Sequence, residues 1–483
     1  MATPNTHHGP ERIGGYLNKA GFRREDTAVF FIGAGGIMMS SLALLTRRAG
    51  FTVAGSDRTE TPLTRTLEEA GIWMSYGHSA ENVDRLTNCA LVVYTVAISP
   101  DNPEYVRAAE LGIPLVSRAD YVGDLMTHYR NRVGVAGMHG KSTCTSMCAE
   151  IFMRANADPT VLSGAEYAPM GGAYRIGGDT HFLFEACEYM DSFLDFRPTV
   201  AVLLNVELEH VDYFKSLEQV CTSFSRFASL TGENGTVIYN LDDAPTTKAA
   251  LAANVAHRIS LSRRDKTADF YAEVLDENTA FPTFSLYHKG EYWFDVTMSV
   301  TGLHQVDDAL AAAASAYACG LSPADVKAGL EAFRGAARRM EYKGRVAGAA
   351  VYDDYAHHPT EIRSTLTGAA RLCRQQAENG RLFCVFQPHT YSRTAALFDD
   401  FLSAFDNADR LLLLDIYAAR ETNTYGVSSA DLARTIGQKA AYCDSPASAV
   451  EQLLRELSPN DLLIVMGAGD VTRVTQLLGM YME

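Results

Sequence analysis

The sequence predicts an α/β protein built from three domains. Short apolar stretches with the length of buried strands alternate with helical stretches, and this alternation is typical of parallel, doubly wound sheets. The alternation restarts twice, near Val133 and near Ala349. The length of 483 residues also suggests about three domains, at roughly 150 residues each.

The first third contains four predicted strands, two predicted helices and a polar segment that follows them. The strands lie at 28–32, 51–55, 91–94 and 114–116, and the helices at 38–49 and 103–111. A glycine turn at 33–36 joins the first strand to the first helix. Because the segment 126–132 is polar and precedes a new strand, we predict a first domain over residues 1–128.

The second and third parts are separated by a predicted linker at 338–344, which gives domains over residues 129–340 and 341–483. Strands of the second part are predicted at 133–136, 182–185 and 200–205, with antiparallel strands within 283–300. Its helices are predicted at 217–230, 308–319 and 322–333, the last with Ser322 as N-cap. Strands of the third part are predicted at 349–352, 382–386, 410–415 and 461–466.

The composition is that of a globular protein, with 47% hydrophobic and 21% charged residues. The formal net charge of −16 argues against binding to nucleic acid or anionic membranes, so local positive groups must hold any anionic substrate. The polar N-terminus resembles no export signal, and no apolar run has the length of a membrane span. Nine scattered cysteines, including Cys144 and Cys148 one helical turn apart, favour buried reduced thiols over a metal pair. We therefore expect a cytoplasmic protein without membrane insertion.

The strongest motif is the loop from Gly134 to Thr143, with the sequence GVAGMHGKST. Its glycines let backbone N–H groups approach phosphate oxygens, and the helix that follows presents its positive end to the same anion. Lys141 is expected to contact the β- and γ-phosphates, and the Ser142 hydroxyl is the expected Mg²⁺ ligand. The loop is shorter than GxxxxGK[ST], because Gly137 stands only three residues before Gly140. A chance glycine turn is the alternative interpretation.

The first glycine turn, GAGGIMMS at 33–40, is a weaker motif because Met38 replaces the last glycine of GxGxxG. Such a turn can hold a nucleotide diphosphate, and Ser56 and Asp57 follow the next strand, where an acidic residue can bind a ribose hydroxyl. A nicotinamide dinucleotide site and a plain turn without ligand are the alternatives.

Polar residues follow other predicted strands. Glu185 and Glu188 lie at or just past the end of one strand and His210 follows another, and oxygen ligands at such strand ends suit Mg²⁺. In the third part, DDYAHHP at 353–359 and QPHTYSRT at 387–394 place histidine, arginine and tyrosine in loops at one sheet edge. The adjacent histidines could form a zinc site, although no carboxylate spacing supports one.

These motifs, taken together, resemble the Mur ligase family. The family loop GTHGKTTT matches residues 137–144, and the other matching segments follow in order: EACEYMDSF at 185–193, NVELEHVDYF at 205–214, RRMEYKG at 338–344, DDYAHHPTEI at 353–362, QPHTYSRT at 387–394 and DIYAARE at 415–421. The resemblance implies a Rossmann-like N-terminal domain, a central P-loop ATPase-like α/β domain and a Rossmann-like C-terminal domain.

The resemblance also implies an ATP-dependent ligase with Mg²⁺ as cofactor, Mn²⁺ being an alternative, and the best match is the branch that joins L-alanine to UDP-N-acetylmuramate. The residues that it implies for catalysis are Lys141, Glu185, His210, His358 and Arg393, and for metal Ser142, Glu185 and His210. Those for ATP are Gly137, His139, Gly140, Lys141, Ser142, Thr143, His304, Gln305, Asp308, Arg339 and Asp354. Those for the UDP-substrate are Gly33, Gly35, Gly36, Ser40, Ser56, Asp57 and His78. Those for the amino acid are Tyr355, His357, His389 and Arg393.

Several positions depart from the family pattern. Gln305 and Asp308 stand where the family carries asparagines, and Cys187 and Met190 replace aspartates found in many members. Ser142 replaces a threonine but keeps the hydroxyl. Two alternatives therefore stay open, a peptide-recycling ligase of the same fold and a nucleotide-binding homologue with impaired catalysis. A monomer and a homodimer are both compatible with the sequence.

Overall fold

The computed structural model describes residues 27–95, 98–210, 213–419 and 421–482. The polar N-terminus on which the export-signal prediction rests lies outside these ranges, as do Val211, Asp212 and Arg420 of the quoted motifs. The described residues form three β-sheets that follow one another along the chain. No helix in these ranges is both long and apolar enough to cross a membrane.

The first sheet is entirely parallel, with the strand order β3-β2-β1-β4-β5. Its strands are β1 (Ala28–Ile32), β2 (Thr52–Asp57), β3 (Trp73–Tyr76), β4 (Cys89–Tyr94) and β5 (Leu115–Ser117). Its helices are α1 (Ile37–Arg48), α2 (Pro62–Glu69), α3 (Ala80–Asp84), α4 (Pro103–Glu110) and α5 (Arg118–Leu125). Strand order reverses between β1 and β4, so the carboxyl end of β1 is a place where ligands bind in such sheets.

The second sheet has ten strands in the order β15-β14-β13-β12-β11-β10-β6-β9-β7-β8. Its strands are β6 (Asn131–Ala136), β7 (Thr160–Tyr167), β8 (Gly172–Arg175), β9 (His181–Glu185), β10 (Val200–Leu203), β11 (Thr236–Asn240), β12 (His257–Ser262), β13 (Phe270–Val274), β14 (Thr283–His288) and β15 (Glu291–Thr297). Its helices are α6 (Lys141–Arg154), α7 (Leu217–Ser229), α8 (Ala244–Ala252), α9 (His304–Ala318) and α10 (Pro323–Ala332). The centre is parallel, and β14 and β15 form the antiparallel pair predicted within 283–300.

The third sheet has the order β16-β17-β21-β18-β19-β20, with β16 antiparallel and the others parallel. Its strands are β16 (Glu341–Val346), β17 (Ala349–Asp354), β18 (Leu382–Phe386), β19 (Arg410–Leu413), β20 (Ala440–Tyr442) and β21 (Leu462–Met466). Its helices are α11 (Pro359–Gln376), α12 (Tyr391–Ala396), α13 (Phe398–Ala404), α14 (Ser429–Ile436), α15 (Pro446–Glu456) and α16 (Thr472–Leu478). Strands β18 and β21 are buried along their whole length, because helices cover both faces of the sheet.

The local predictions hold closely. The predicted strands at 28–32 and 382–386 have the observed bounds, and Ser322 caps α10 in a capping box with Asp325. Strand β10 ends at Leu203 instead of residue 205, because Asn205 bonds to the phosphate loop instead of a neighbouring strand. The cysteines Cys144 and Cys148 are buried in α6 as free thiols.

Candidate active site

The glycine loop at residues 137–140 lies between β6 and α6. Gly137 and Gly140 have φ angles of 157° and 84°, in the region that favours glycine. A Cβ atom at Gly140 would also lie 2.5 Å from Asp308 Oδ1. Thr143 lies one turn into α6, whose first backbone N–H groups have no partner within the helix. This arrangement suits a phosphate group.

Lys141 turns back over its own loop and meets a buried carboxylate. Its Nζ donates to the carbonyl oxygens of Gly137 and Met138 and lies 3.0 Å from Glu188 Oε2. Glu188 is 1% exposed, and its Oε1 is 3.0 Å from His210 Nε2. Burial alone lowers the pKa of Lys141, but the charge of Glu188 raises it above its ordinary value. Lys141 is therefore charged, and a bound phosphate would share or replace the contact with Glu188.

Ser142 and Glu185 offer a pair of oxygen ligands at the head of the loop. The Ser142 hydroxyl donates to Glu185 Oε2 at 2.7 Å, and the Gly164 N–H donates to the same oxygen at 2.8 Å. Hydroxyl and carboxylate oxygens are ligands that Mg²⁺ prefers, so the pair fits this ion. His210 contacts Glu188 instead, so the three predicted metal residues form two neighbouring groups.

His139 lies between carboxylates that come from two different sheets. Its Nδ1 is 3.1 Å from Glu361 Oε1 at the start of α11, and its Nε2 is 3.5 Å from Glu207 Oε2. Burial alone lowers the pKa of His139, but the nearby carboxylates of Glu361 and Glu207 raise it to about 10. A charged imidazole therefore ties the phosphate loop to the third sheet.

Replacing His139 with glutamine is expected to remove a stabilising contribution that depends on pH. Because the pKa of His139 rises from 6.5 to about 10 in the fold, the contribution is fully present below pH 6.5 and is lost as the pH rises through 10. Calorimetry at several pH values should give a variant with a Tm lower by about 5 °C at acidic pH and a flatter alkaline decline. His257→Gln, at an exposed histidine on β12, is the control. Equal alkaline declines in the His139 variant and the wild type would contradict the ion pairs.

The residues predicted for the amino-acid side form one cluster beside Glu209. The ring centroid of His357 is 5.6 Å from that of Tyr355 and 5.9 Å from that of His389. Arg393 donates to Glu209 Oε1 at 2.7 Å, and its Nη1 is 3.2 Å from His389 Nδ1. Burial alone raises the pKa of Glu209, but Arg393 and His357 lower it to about 2. Glu209 is therefore a carboxylate that joins the second sheet to the third.

His358 belongs to a different group from its neighbour His357. Its ring centroid is 5.0 Å from that of His139, and its Nδ1 is 4.0 Å from Glu207 Oε2. One ligand atom from each of His139, Glu207 and His358 lies within 4.8 Å of the others, a spacing compatible with a metal ion. The sequence spacing offered no carboxylate for a zinc site at the adjacent histidines. In the fold, Glu207 supplies that carboxylate from a distant segment.

A cavity of about 240 Å³ adjoins the phosphate loop and is lined by further residues predicted for ATP: His304, Gln305, Asp308, Arg339 and Asp354. His304 Nδ1 is 2.7 Å from Ser364 Oγ, and its Nε2 is 3.0 Å from Gln305 Nε2. Burial lowers the pKa of His304 to about 4 and raises that of Asp354 to about 6. Burial also raises the pKa of Asp308 well above its ordinary value. At neutral pH the cavity thus combines the neutral imidazole of His304 with charged groups such as Glu361 and Arg339, so it offers both kinds of partner to a nucleotide.

The first glycine turn lies at the carboxyl end of β1, and its amide groups already have partners. Gly35 N–H donates to Asp57 Oδ2 at 2.7 Å, while the N–H of Gly33 donates to the Ser56 carbonyl at 2.9 Å. The Ser40 hydroxyl donates to the carbonyl of Ile37 at 2.9 Å within α1. The turn therefore leads directly into α1, whose N-cap is Gly36. The Asp57 carboxylate accepts from the turn in the way that a bound anion would.

Glu104, which the sequence reasoning missed, organises the polar side chains beside this turn. Its side chain is fully buried and accepts from Ser56 Oγ at 2.6 Å, His78 Nδ1 at 2.7 Å and Asn82 Nδ2 at 2.6 Å. Because both carboxylate oxygens accept, His78 must donate through Nδ1, which leaves Nε2 without the proton in its neutral form. Glu104 therefore fixes the orientation of Ser56 and His78, two residues predicted for the UDP-substrate.

Replacing Glu104 with glutamine is expected to weaken binding of the UDP-substrate about tenfold while kcat changes little, because an amide group would face three donors. Steady-state kinetics with the UDP-substrate as the varied component measure the split between KM and kcat. Glu110→Gln, at the exposed end of the same helix, is the matched control. A fall in kcat at unchanged KM would contradict the role of Glu104.

Other residues of the site also escaped the sequence reasoning, namely Glu207, Glu209, Glu361 and Ser364. Glu361 carried a usable signal, because it stands at the third position of α11 and forms a capping box with His358. The acidic residues Glu207 and Glu209 alternate in the segment after β10, and their roles depend on contacts with residues more than 150 positions away.

Comparison with known proteins places this site in context. Three family models match successive parts of the chain: the catalytic domain of the Mur ligase family at 28–130, the Mur ligase middle domain at 135–316 and the Mur ligase glutamate ligase domain at 338–469. The UDP-N-acetylmuramate–L-alanine ligase of Agathobacter rectalis is 43% identical over 450 residues, which are 92% of this chain and 96% of that protein. The ligase of the same name from Acetivibrio thermocellus is 42% identical and covers 93% of this chain and 95% of its own length.

Solved structures agree with these sequence matches. The UDP-N-acetylmuramate–alanine ligase MurC from Thermotoga maritima is 26% identical with a TM-score of 0.76, covering 94% of this chain and 98% of its own. A murein peptide ligase from Psychrobacter arcticus, 24% identical with a TM-score of 0.68 and the same shares of the two chains, has the same fold. Because these relatives extend over nearly the whole chain and the three family domains follow in order, the protein is a member of the Mur ligase family.

Proposed function

We propose that this protein joins L-alanine to the carboxylate of UDP-N-acetylmuramate while converting ATP into ADP and phosphate. The observation that carries the proposal is the meeting of three groups at one place: the phosphate loop with Lys141, the Ser142–Glu185 pair, and the third-sheet cluster around Arg393. The names of the most similar relatives support the choice of substrates.

The chemistry requires activation because a carboxylate is a poor electrophile. A carboxylate oxygen attacks the γ-phosphorus of ATP, the bond to the β-phosphate oxygen breaks, and ADP leaves. The neutral amine of L-alanine then attacks the acyl carbon, the amine loses a proton, and phosphate departs as the amide forms. Water would hydrolyse the acyl phosphate, so contact between the second and third sheets must exclude it.

Each group has a proposed role in these steps. Lys141 neutralises charge on the transferring phosphoryl group, and Ser142 and Glu185 would hold Mg²⁺, or Mn²⁺ in its place. The metal, when bound, would supply further neutralisation of the phosphate oxygens. His210 orients Glu188 against Lys141, as their 3.0 Å contact suggests. Arg393 and the histidines of the third sheet, including His358, receive the amino acid and its developing charge.

Each of the three predicted domains has one ligand to bind. We propose that residues 1–128 bind the UDP-substrate, residues 129–340 bind ATP, and residues 341–483 bind the amino acid. A precursor of the peptidoglycan would be made in the cytoplasm, where ATP and UDP-linked sugars are present. A monomer and a homodimer both fit a site whose described residues come from one chain.

An assay of ADP release with UDP-N-acetylmuramate and a panel of amino acids tests the function. L-alanine should give the highest kcat/KM, with glycine and L-serine lower by about tenfold or more, because one small group is worth about 1–3 kcal/mol in a pocket. Silence with every free amino acid but activity with peptides would indicate a recycling ligase. Binding of ATP without phosphate release on any acceptor would indicate an impaired homologue.

A further inference from the structure

Three cations around the phosphate loop are already neutralised. Each has a carboxylate within 3.1 Å, namely Lys141 with Glu188, His139 with Glu361 and Arg393 with Glu209. An incoming anion must compete with these carboxylates. The net charge of −16 supplies no general attraction for an anionic substrate either.

Arg118 is different, because it is a half-buried cation without a carboxylate partner. No hydrogen bond or ion pair joins its guanidinium to any residue within 27–95, 98–210, 213–419 or 421–482. Burial lowers the pKa of Arg118, and the neighbouring Cys187 raises it.

Arg118 lies on a helix of the first domain that packs against the second part of the chain. It is the first residue of α5, directly after the carboxyl end of β5. Helix α5 packs against the segment after Glu188, and Gly123 touches the carbonyl of Asp195 there. Cys187 itself stands between Glu185 and Glu188, the partners of Ser142 and Lys141. Arg118 therefore lies near the segment that carries Glu185 and Glu188.

A half-buried guanidinium without a partner is unfavourable, so the position favours a ligand of opposite charge. Resting on the proposed function, we infer that Arg118 binds the carboxylate of UDP-N-acetylmuramate and holds it beside the phosphate loop. A guanidinium suits this task because its N–H groups bind both oxygens of a carboxylate.

The strand order favours the carboxylate over the diphosphate of the same substrate. The diphosphate is expected at the glycine turn after β1, and β4 lies between β1 and β5. Two strand spacings of about 4.8 Å separate the ends of β1 and β5, so Arg118 stands roughly 10 Å away from that turn. The carboxylate must reach the phosphate loop of the second sheet, and α5, which begins with Arg118, packs against the segment after Glu188 of that part of the chain.

Calorimetric binding of two ligands to the full chain tests this inference. UDP-N-acetylmuramate carries the lactyl carboxylate, and UDP-N-acetylglucosamine has the same nucleotide and sugar without it. Arg118→Ala should weaken the first ligand by about 30-fold and leave the second within about twofold, as expected for one charge-assisted pair. Arg118→Lys should recover part of the loss, because it keeps the charge but not the two-pronged geometry.

The matched control is Arg107→Ala. Arg107 stands on α4, beside the same sheet, and pairs with Asp84 on the surface. Thermal unfolding and binding of a non-hydrolysable ATP analogue should match the wild type in every variant, which separates a folding defect from a lost contact. Equal loss for both UDP ligands would move Arg118 to the diphosphate, and no loss for either would remove it from the site; both results overturn the inference. Failure of the wild type to bind UDP-N-acetylmuramate would instead refute the proposed function.

Discussion

Replacing Lys141 with alanine is expected to lower kcat by about a thousandfold or more, because loss of a charge aimed at the transferring phosphoryl group has an effect of that order. The side chain is held over its own loop by two carbonyl oxygens and Glu188. Binding of the UDP-substrate should change little, because its predicted site lies on the first sheet. Rates of ADP release and calorimetric binding measure the two effects separately.

The removal of Lys141 also leaves Glu188 as a buried charge beside His210 without its lysine partner, which by itself destabilises the fold. The double variant Lys141→Met/Glu188→Gln keeps the pair neutral and should unfold near the wild-type Tm while remaining inactive. Lys327→Ala, on the exposed face of α10, is the control for loss of a lysine elsewhere. A Lys141 variant that retains a tenth of wild-type kcat would refute the assignment of the phosphate loop.

The elements of this site that sequence analysis predicted are those whose cause is local. The phosphate loop is recognisable because a strand, two glycines at positive φ, a lysine and a helix follow one another within a few residues. The same holds for the capping box at Ser322 and for the apolar strands at 28–32 and 382–386. In each case hydrophobic period, turn chemistry and capping point to the same structure.

The contacts that long-range folding creates were not predictable from spacing. His357 and His358 are adjacent in sequence, yet one faces Arg393 and Glu209 while the other faces His139 and Glu207. The strand order of each sheet, which decides these meetings, has no local signal. Glu104 shows the same limit, because an asparagine–proline–glutamate sequence reads as an ordinary helix start until the fold brings three donors to its carboxylate.

Replacing Glu185 with alanine is expected to raise the Mg²⁺ concentration for half-maximal activity by about 50-fold, because a carboxylate is the strongest oxygen ligand available to such an ion and loss of one partner of a metal site typically costs 10–100-fold in affinity. Ser142→Ala should shift the metal dependence in the same direction, since its hydroxyl lies 2.7 Å from Glu185 Oε2. Ser142→Thr keeps the hydroxyl and should leave the metal dependence unchanged. These three variants therefore separate the ligand oxygen from the bulk of the side chain.

The ligand-binding readout distinguishes metal binding from general damage to the site. Glu185 lies at the end of β9 in the second sheet, so the Kd for the UDP-substrate in the absence of nucleotide should stay within about twofold of the wild type, since sites without shared partners act independently. Glu233→Gln, at an exposed loop residue of the same sheet, controls for removal of a negative charge. Mn²⁺ titration followed by electron paramagnetic resonance gives the metal affinity without turnover. If Glu185→Ala bound Mn²⁺ as tightly as the wild type, the ion would have to be held elsewhere, because a carboxylate ligand cannot be removed from a metal site without loss of affinity.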